Sequence, residues 1–367
     1  MRLIHIDLKN YRNCKNLSLN FNFDKVLIIG KNAQGKTNIL ESIYMLSTLK
    51  SPRTSNNTEL INFNAESTHI DAEIEKADTS VSVGFSYTSE KKRELRLNGV
   101  KTTPKNFKTV LKTVLFSTND LLLLRGNPSD RRDWLDRAIA QIYPAYDERL
   151  SKYDKIRVQK NNCLKDYLKT GNINSTLLDV YNEQLAVTGS NVIYLRLKYL
   201  DEIEKIANIK HHTISENENL NISYSSSFLN GERDLETILL KFKEALEERK
   251  QEEIRRGQSC IGPHRDDILF YINSNEATKF ASQGQQRTVV LALKLSELDI
   301  ITAKTGDVPI LLLDDVLAEL DDIRQNYLLK SIHENTQTII TSVDTVLFEK
   351  EFLTDVKIYN IENGDVK

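Results

Sequence analysis

The segment Gly30-Lys31-Asn32-Ala33-Gln34-Gly35-Lys36-Thr37 constrains this chain more than any other feature. It matches the phosphate-loop pattern GxxxxGK[ST] at every position, in the context that pattern needs. Val26 to Ile29 before it is a continuous apolar run, as in a strand covered on both faces. A helix is expected after it, from Thr37 to about Leu49. Glycines let successive backbone N–H groups curl around a phosphate, and the helix start adds a favourable dipole. Residues Gly30 to Thr37 are therefore the expected nucleotide cradle, with Lys36 reaching the β- and γ-phosphates and the Thr37 hydroxyl ligating Mg²⁺. Outside that context, such a run is a glycine turn and nothing more.

Phosphoryl chemistry on such a loop needs a second acidic element. Pro309-Ile310-Leu311-Leu312-Leu313-Asp314-Asp315 reads as a buried strand that ends in two carboxylates. Asp314 is expected to hold Mg²⁺ through water, and Asp315 to act beside the attacking water as base or orienter. A third element, Ser282-Gln283-Gly284-Gln285-Gln286-Arg287, opens a helix whose Leu291, Leu295 and Leu298 share a face. It resembles the signature motif of ABC-type ATPases, in which a Ser and a Gly begin a helix and expose N–H groups. Ser282, Gly284 and Gln285 would then form a second phosphate site, serving a partner chain's nucleotide because the chain's own is already gripped by the loop. The alternative is a plain Ser-capped helix.

Around these motifs the texture is α/β. Leu3 to Leu8 and Leu17 to Phe21 form an expected hairpin around Asn10 to Asn13, and further strands are expected near Ile70 to Ile74, Val81 to Tyr87 and Leu95 to Leu97. Asn98-Gly99 is a hairpin turn signal. Near residue 128 the pattern changes. Asn127-Pro128-Ser129 is a helix start with Ser129 as candidate cap. Tyr146, Leu150, Tyr153, Ile156 and then Tyr181, Leu185, Val192, Leu195, Tyr199 recur at helical spacing, as two helices joined around Thr170-Gly171-Asn172. The division is 1–125, head; 126–257, inserted helical lobe; 258–367, head again. The expected fold is an α/β ABC-type P-loop ATPase head with an inserted, mainly helical lobe.

Five segments carry a wider resemblance: Gly30 to Leu40, Val114 to Asp136, Gly262 to Asp267, Ser282 to Leu298 and Leu311 to Asp321. In kind and order they resemble the RecF family of bacterial recombination-mediator ATPases, relatives of SMC heads. The resemblance implies ATP and Mg²⁺ as cofactors, an ATP-dependent homodimer, and binding to DNA at gaps and stalled forks. It implies RecR, RecO and RecA as partners, slow hydrolysis as a release switch, and a cytoplasmic location. This chain departs from the family at Thr118-Asn119, where Pro-Glu is usual, and at Thr341-Ser342-Val343, where a Thr-rich run is usual. Related heads also place an Arg near the nucleotide at the position of Arg12, with a solvated Arg as the alternative.

The formal charge of −2 excludes bulk electrostatics as the source of DNA affinity, so a local patch is required. Arg131, Arg132, Lys152, Lys155 and Arg157 make one candidate patch, Lys50 and Arg53 another, and solvated helix faces are the alternative to both. Gly262-Pro263-His264-Arg265-Asp266-Asp267 matches no zinc spacing and is expected to turn His264 and Arg265 towards nucleotide or DNA. Three unpatterned cysteines argue against a disulfide framework, and no apolar run approaches the roughly 18 residues of a membrane span. The alternating N-terminus is not a signal peptide. A transporter ATPase would carry Gln and His loops that are not evident. An SMC-type structural protein needs far longer arms than an insertion on the order of 130 residues.

Overall fold

The computed structural model describes residues 1–77, 79–171, 175–215, 217–332, 335–346, 348 and 350–367. Two compact units emerge, one made of Met1–Leu121 with Arg287–Lys367, the other of Leu122–Gln286.

The first unit begins with strands β1 (Arg2–Tyr11), β2 (Cys14–Asn20) and β3 (Lys25–Ile29), then helix α1 (Lys36–Thr48). Strands β4 (Ser67–Lys76), β5 (Thr79–Thr88), β6 (Arg93–Leu97) and β7 (Val100–Lys101) follow, then helix α2 (Pro104–Phe107) and strand β8 (Thr113–Ser117). An antiparallel sheet runs in the order β2-β1-β4-β5-β6-β7. Its strands alternate between buried and exposed positions, as β4 shows, because one face meets the core and the other meets water. Asn98 and Gly99, both at positive φ, make the two-residue turn between β6 and β7 as their sequence requires.

The second unit holds α3 (Pro128–Ile142), α4 (Tyr146–Thr170), α5 (Ser175–Ile214), β9 (Leu220–Ser225), α6 (Leu235–Glu248), α7 (Lys250–Arg256), β10 (Asp267–Ile272), β11 (Asn275–Glu276) and α8 (Ala277–Phe280). Asn127, not Ser129, caps α3: Pro128 takes the first helical position, and the Asn127 N–H bonds the Asp130 carboxylate at 2.7 Å. Helices α4 and α5 pack together with Tyr153, Ile156, Leu185 and Ala186 in a core shared with α6. Gly171 ends α4 in the left-handed conformation; Asn172 lies outside the described residues. Buried ion pairs tie the unit internally. Arg196 grips both oxygens of Asp136 at 2.9 Å, and Lys160 meets Glu253. Residues 258–286 group with this unit, whereas the sequence division places them with the head. The reason is that β10 pairs antiparallel with β9 along its length, a partner that its own alternating pattern cannot specify.

Helix α9 (Gln283–Thr305) leads back, followed by β12 (Ile310–Asp314), α10 (Asp322–Ser331), β13 (Thr338–Ser342), α11 (Lys350–Leu353), β14 (Val356–Glu362) and β15 (Asp365–Val366). These complete a second sheet of the first unit, β15-β14-β3-β13-β12-β8, parallel except for the β15 edge. β3 and β12 are buried almost throughout, as parallel strands covered on both faces should be. No helix among the described residues is long and apolar enough to cross a membrane.

Candidate functional site

Register brings the site together. In the parallel sheet Asp314 at the end of β12 pairs with Ser117 of β8 on one side and Thr341 of β13 on the other, while Ser342 pairs with Ile29 of β3. The carboxyl ends of four strands therefore stop abreast, which is where parallel α/β sheets bind ligands.

The loop leaves β3 at Gly30, whose φ is +157°, and a Cβ there would stand 2.4 Å from the Ile361 carbonyl oxygen of β14. Only glycine permits that approach. Gly35, at φ +113°, is the N-cap of α1, and no acidic residue lies in the first turn of this helix to neutralise its dipole. Lys31, Asn32 and Ala33 form the exposed crest. Two turns clamp the loop at Gln34: Asn13 and Gly364 donate to its carbonyl at 3.2 and 2.9 Å, and the Asn363 N–H reaches its side chain at 2.6 Å. Lys36 is buried, with its ammonium donating to the Gly30 carbonyl at 2.8 Å and lying 3.8 Å from Asp315.

Asp314 Oδ1 accepts two hydroxyls, from Thr37 and from Thr341, each at 2.9 Å. Burial raises the pKa of this carboxyl, these two bonds pull it down, and the neighbouring Asp315 charge pushes it up again; the net shift is upward. The Asp315 N–H donates to Thr341 Oγ1 at 2.9 Å. Asp315 itself is held at φ +50°, in the left-handed region that non-glycine residues seldom adopt. Its Oδ1 is buried and has no hydrogen-bond partner among the described residues. A pocket opens at this point, lined by Thr37, Arg53, Ser117, Thr118, Asn119, Asp314 and Asp315 among others. Lys36, Thr37, Asp314 and Asp315 thus meet in space, as their motifs lead one to expect.

Other candidates fall elsewhere. Arg12 is bound bidentately by the buried Glu41 at 2.6 and 2.9 Å and donates to the Glu59 carbonyl, which commits its guanidinium internally. Arg53 donates to Asn38 Oδ1 at 2.7 Å and lines the pocket, so it belongs to the rim of this site and not to a separate patch with the exposed Lys50. Arg131 leaves the candidate DNA surface altogether: it is buried, with a bidentate pair to Asp267 at 2.8 Å and a bond to the Gly126 carbonyl. Arg132 is half-buried and donates to the Asp266 carbonyl, and Arg157 is half-buried against Asp154. Lys152 and Lys155 remain exposed on α4. His264 turns inward to the Tyr153 hydroxyl at 2.6 Å, and burial, with help from Arg157, pushes its pKa down to about 3. Its ring is committed to the Tyr153 hydroxyl and the Ser259 carbonyl, while Arg265 is exposed.

Ser282 is exposed at the start of α9 and forms a reciprocal cap with Gln285: the Gln285 N–H donates to Ser282 Oγ at 3.2 Å, and the Ser282 N–H to Gln285 Oε1 at 2.8 Å. Gly284 follows in the first turn. The capping role is therefore present, and exposure leaves the hydroxyl reachable. Sequence reasoning assigned no role to Thr341, Glu41, Asn13 or Asn363. Only Thr341 carried a signal, a hydroxyl at the end of a buried strand following the Asp-Asp strand.

Residues 2–367 match the family model described as RecF/RecN/SMC N terminal domain. The chain is 41% identical over 370 aligned residues to the DNA replication and repair protein RecF of Bacillus cereus (strain G9842), covering 100% of this chain and 98% of that protein. A solved structure described as the recombination mediator protein RecF-ATP in the RecFOR pathway superposes with a TM-score of 0.90 at 34% identity, covering 100% of this chain and 97% of the other. An Smc head domain with an extended coiled coil, from Pyrococcus furiosus, shares the fold at a TM-score of 0.55 and 14% identity.

Proposed function

This chain belongs to the RecF family, and from that premise we propose that it is an ATP-gated DNA-binding protein of recombinational repair and replication-fork maintenance. The observation that carries the proposal is the shared Asp314 oxygen. The hydroxyl that follows the P-loop lysine and the carboxylate that ends β12 are 2.9 Å apart across 277 residues of sequence. Thr37 and Asp314 would hold Mg²⁺. That ion commonly takes one or two protein ligands and completes its shell with phosphate and water, and no cluster of three or more His, Cys, Asp or Glu capable of holding a metal exists among the described residues. The donor set fits magnesium and not a zinc cage. When bound, Mg²⁺ neutralises charge on the phosphate oxygens.

The chain's own residues do the rest. Gly30 to Lys36 present N–H groups and one ammonium to the phosphates. Asp315, whose buried Oδ1 has no hydrogen-bond partner among the described residues, accepts a hydrogen bond from the attacking water and orients it. Ser282, Gly284 and Gln285 serve the nucleotide of a second copy, so that two-fold symmetry yields two equivalent sites and ATP binding drives dimerisation. Hydrolysis then releases the dimer, with DNA gripped through exposed basic residues such as Lys152, Lys155 and Lys50. By the same family reading the protein works in the cytoplasm, with RecR and RecO, to load RecA on gapped DNA.

The test is nucleotide titration of the full chain and of Lys36→Met, followed by binding of gapped DNA with and without ATP. The expected result is a folded Lys36→Met chain with most ATP affinity gone, and wild-type DNA binding that depends on ATP. Near-normal ATP binding by the folded variant would refute the site. Equal DNA affinity without nucleotide would reduce the protein to a plain binding module.

A further inference from the structure

Lys294 plays no part in the phosphate cradle or the acid pair, yet it is one of the most deliberately placed charges in the first unit. It sits on α9 with its side chain 9% exposed, its ammonium 2.9 Å from Asp120 Oδ1 and 3.6 Å from Glu297 Oε1. The other oxygen of Asp120 accepts both the N–H and the hydroxyl of Ser117, each at 2.8 Å. Ser117 is the last residue of β8, in register with Asp314. Ser117, Thr118 and Asn119 line the pocket together with Asp314 and Asp315. One carboxylate thus joins the pocket wall at one end to a buried lysine at the other.

Stability alone does not account for this arrangement. Taking three charges out of water costs several kcal/mol per ion before pairing recovers it, and apolar replacements of such clusters are often neutral or stabilising. What an ion cluster provides and an apolar contact does not is a fixed direction and distance. The phosphate loop has its own anchors, the turns at Asn13 and Asn363, so the wall can shift without disturbing the cradle.

We propose that Lys294 is a positioning residue for ATP hydrolysis: through Asp120 it holds the Ser117–Asn119 wall against Asp314 and Asp315, and so governs turnover and not nucleotide affinity. The inference rests on the ATP reading of the site and deepens it. Thr118 and Asn119 are the neutral polar side chains which that wall presents. Their placement relative to the acid pair decides whether a water is aligned, and misplacement of such a group by an ångström costs on the order of a hundredfold in rate.

The experiment compares wild type, Lys294→Met/Asp120→Asn and Asp120→Asn as full chains, measuring ATP dissociation constant, kcat and thermal midpoint. The double variant removes both charges of the pair together. The single variant keeps an oxygen for Ser117 and removes only the charge facing Lys294, which supplies the same readout if the double variant does not fold. The expected result is a fall in kcat of about tenfold or more with ATP affinity within about threefold. A folded variant with unchanged kcat would overturn the proposal, and so would equal losses of affinity and turnover. Failure of the wild type to bind ATP would instead bring down the nucleotide reading itself, a result visible before any variant is compared.

Discussion

Replacing Thr341 by Val tests the construction of the site with almost no change in shape. Thr341 is 1% exposed, so no water substitutes for its hydroxyl. Two short hydrogen bonds are lost, the one given to Asp314 and the one accepted from the Asp315 N–H, both 2.9 Å, together with a longer 3.4 Å contact to the Leu313 carbonyl. A bond to a charged group is worth about 1.5–3 kcal/mol, and a buried donor left unmade costs about 1–3 kcal/mol. Thr37 still donates to the same Asp314 oxygen, so the sum is not fully realised, and a loss of about 2–4 kcal/mol at neutral pH is expected. The pH dependence has a definite sign. Asp314 titrates above the ordinary carboxylate value because burial outweighs its hydrogen bonds. A carboxyl raised on folding takes up a proton between its unfolded and folded values, so it costs stability as pH rises through that window. Losing the Thr341 bond raises Asp314 further. The deficit should therefore be largest near pH 7 and smaller near the ordinary carboxylate value of about 4, below the raised Asp314 value, where the acid has accepted its proton. Urea denaturation of both proteins at the two pH values measures this, and the Mg²⁺-dependent part of ATP affinity should fall in parallel. A deficit below about 0.5 kcal/mol, or one equal at both pH values, would refute the reasoning.

Three further outcomes are expected. Lys152→Ala with Lys155→Ala should leave stability unchanged and flatten the salt dependence of DNA binding by up to about two in log–log slope, whereas Arg131→Ala should cost about 3–5 kcal/mol by stranding Asp267; a stable Arg131→Ala that loses DNA affinity like the lysine pair would restore Arg131 to the DNA surface. Ser282→Arg should keep monomeric ATP binding and lose ATP-dependent dimerisation in light scattering, and normal dimerisation would leave Ser282 as the cap that its bond with Gln285 makes it. Gly30→Ala should unfold at a clearly lower temperature, by about 2 kcal/mol or more, because its Cβ would stand 2.4 Å from a backbone oxygen that no rotamer change can move; a melting temperature like wild type would show that β14 yields there.

Where the two readings agree, the information is local. Glycines at the required spacing, an apolar run before them and a hydroxyl-bearing helix start after them determine the loop within eight residues, and two acids after four apolar residues determine the facing strand. Asn98-Gly99 determines its own turn, since both residues tolerate positive φ. Where they part, the deciding contact is distant. Nothing near Arg131 announces Asp267, 136 positions on, whose carboxylate takes the guanidinium out of any DNA surface. Arg12 looks equally available until α1 places Glu41 beneath it. β10 has the alternation of any half-buried strand, and only pairing with β9 assigns residues 258–286 to the second unit. Side-chain periodicity states which face of an element is buried but not which element covers it, and a charge pattern states that a cation exists but not whether the fold brings an acid within 3 Å. Thr341 reached the site and Lys294 its flank for that reason alone: parallel register set one beside Asp314, and the packing of α9 set the other against Asp120.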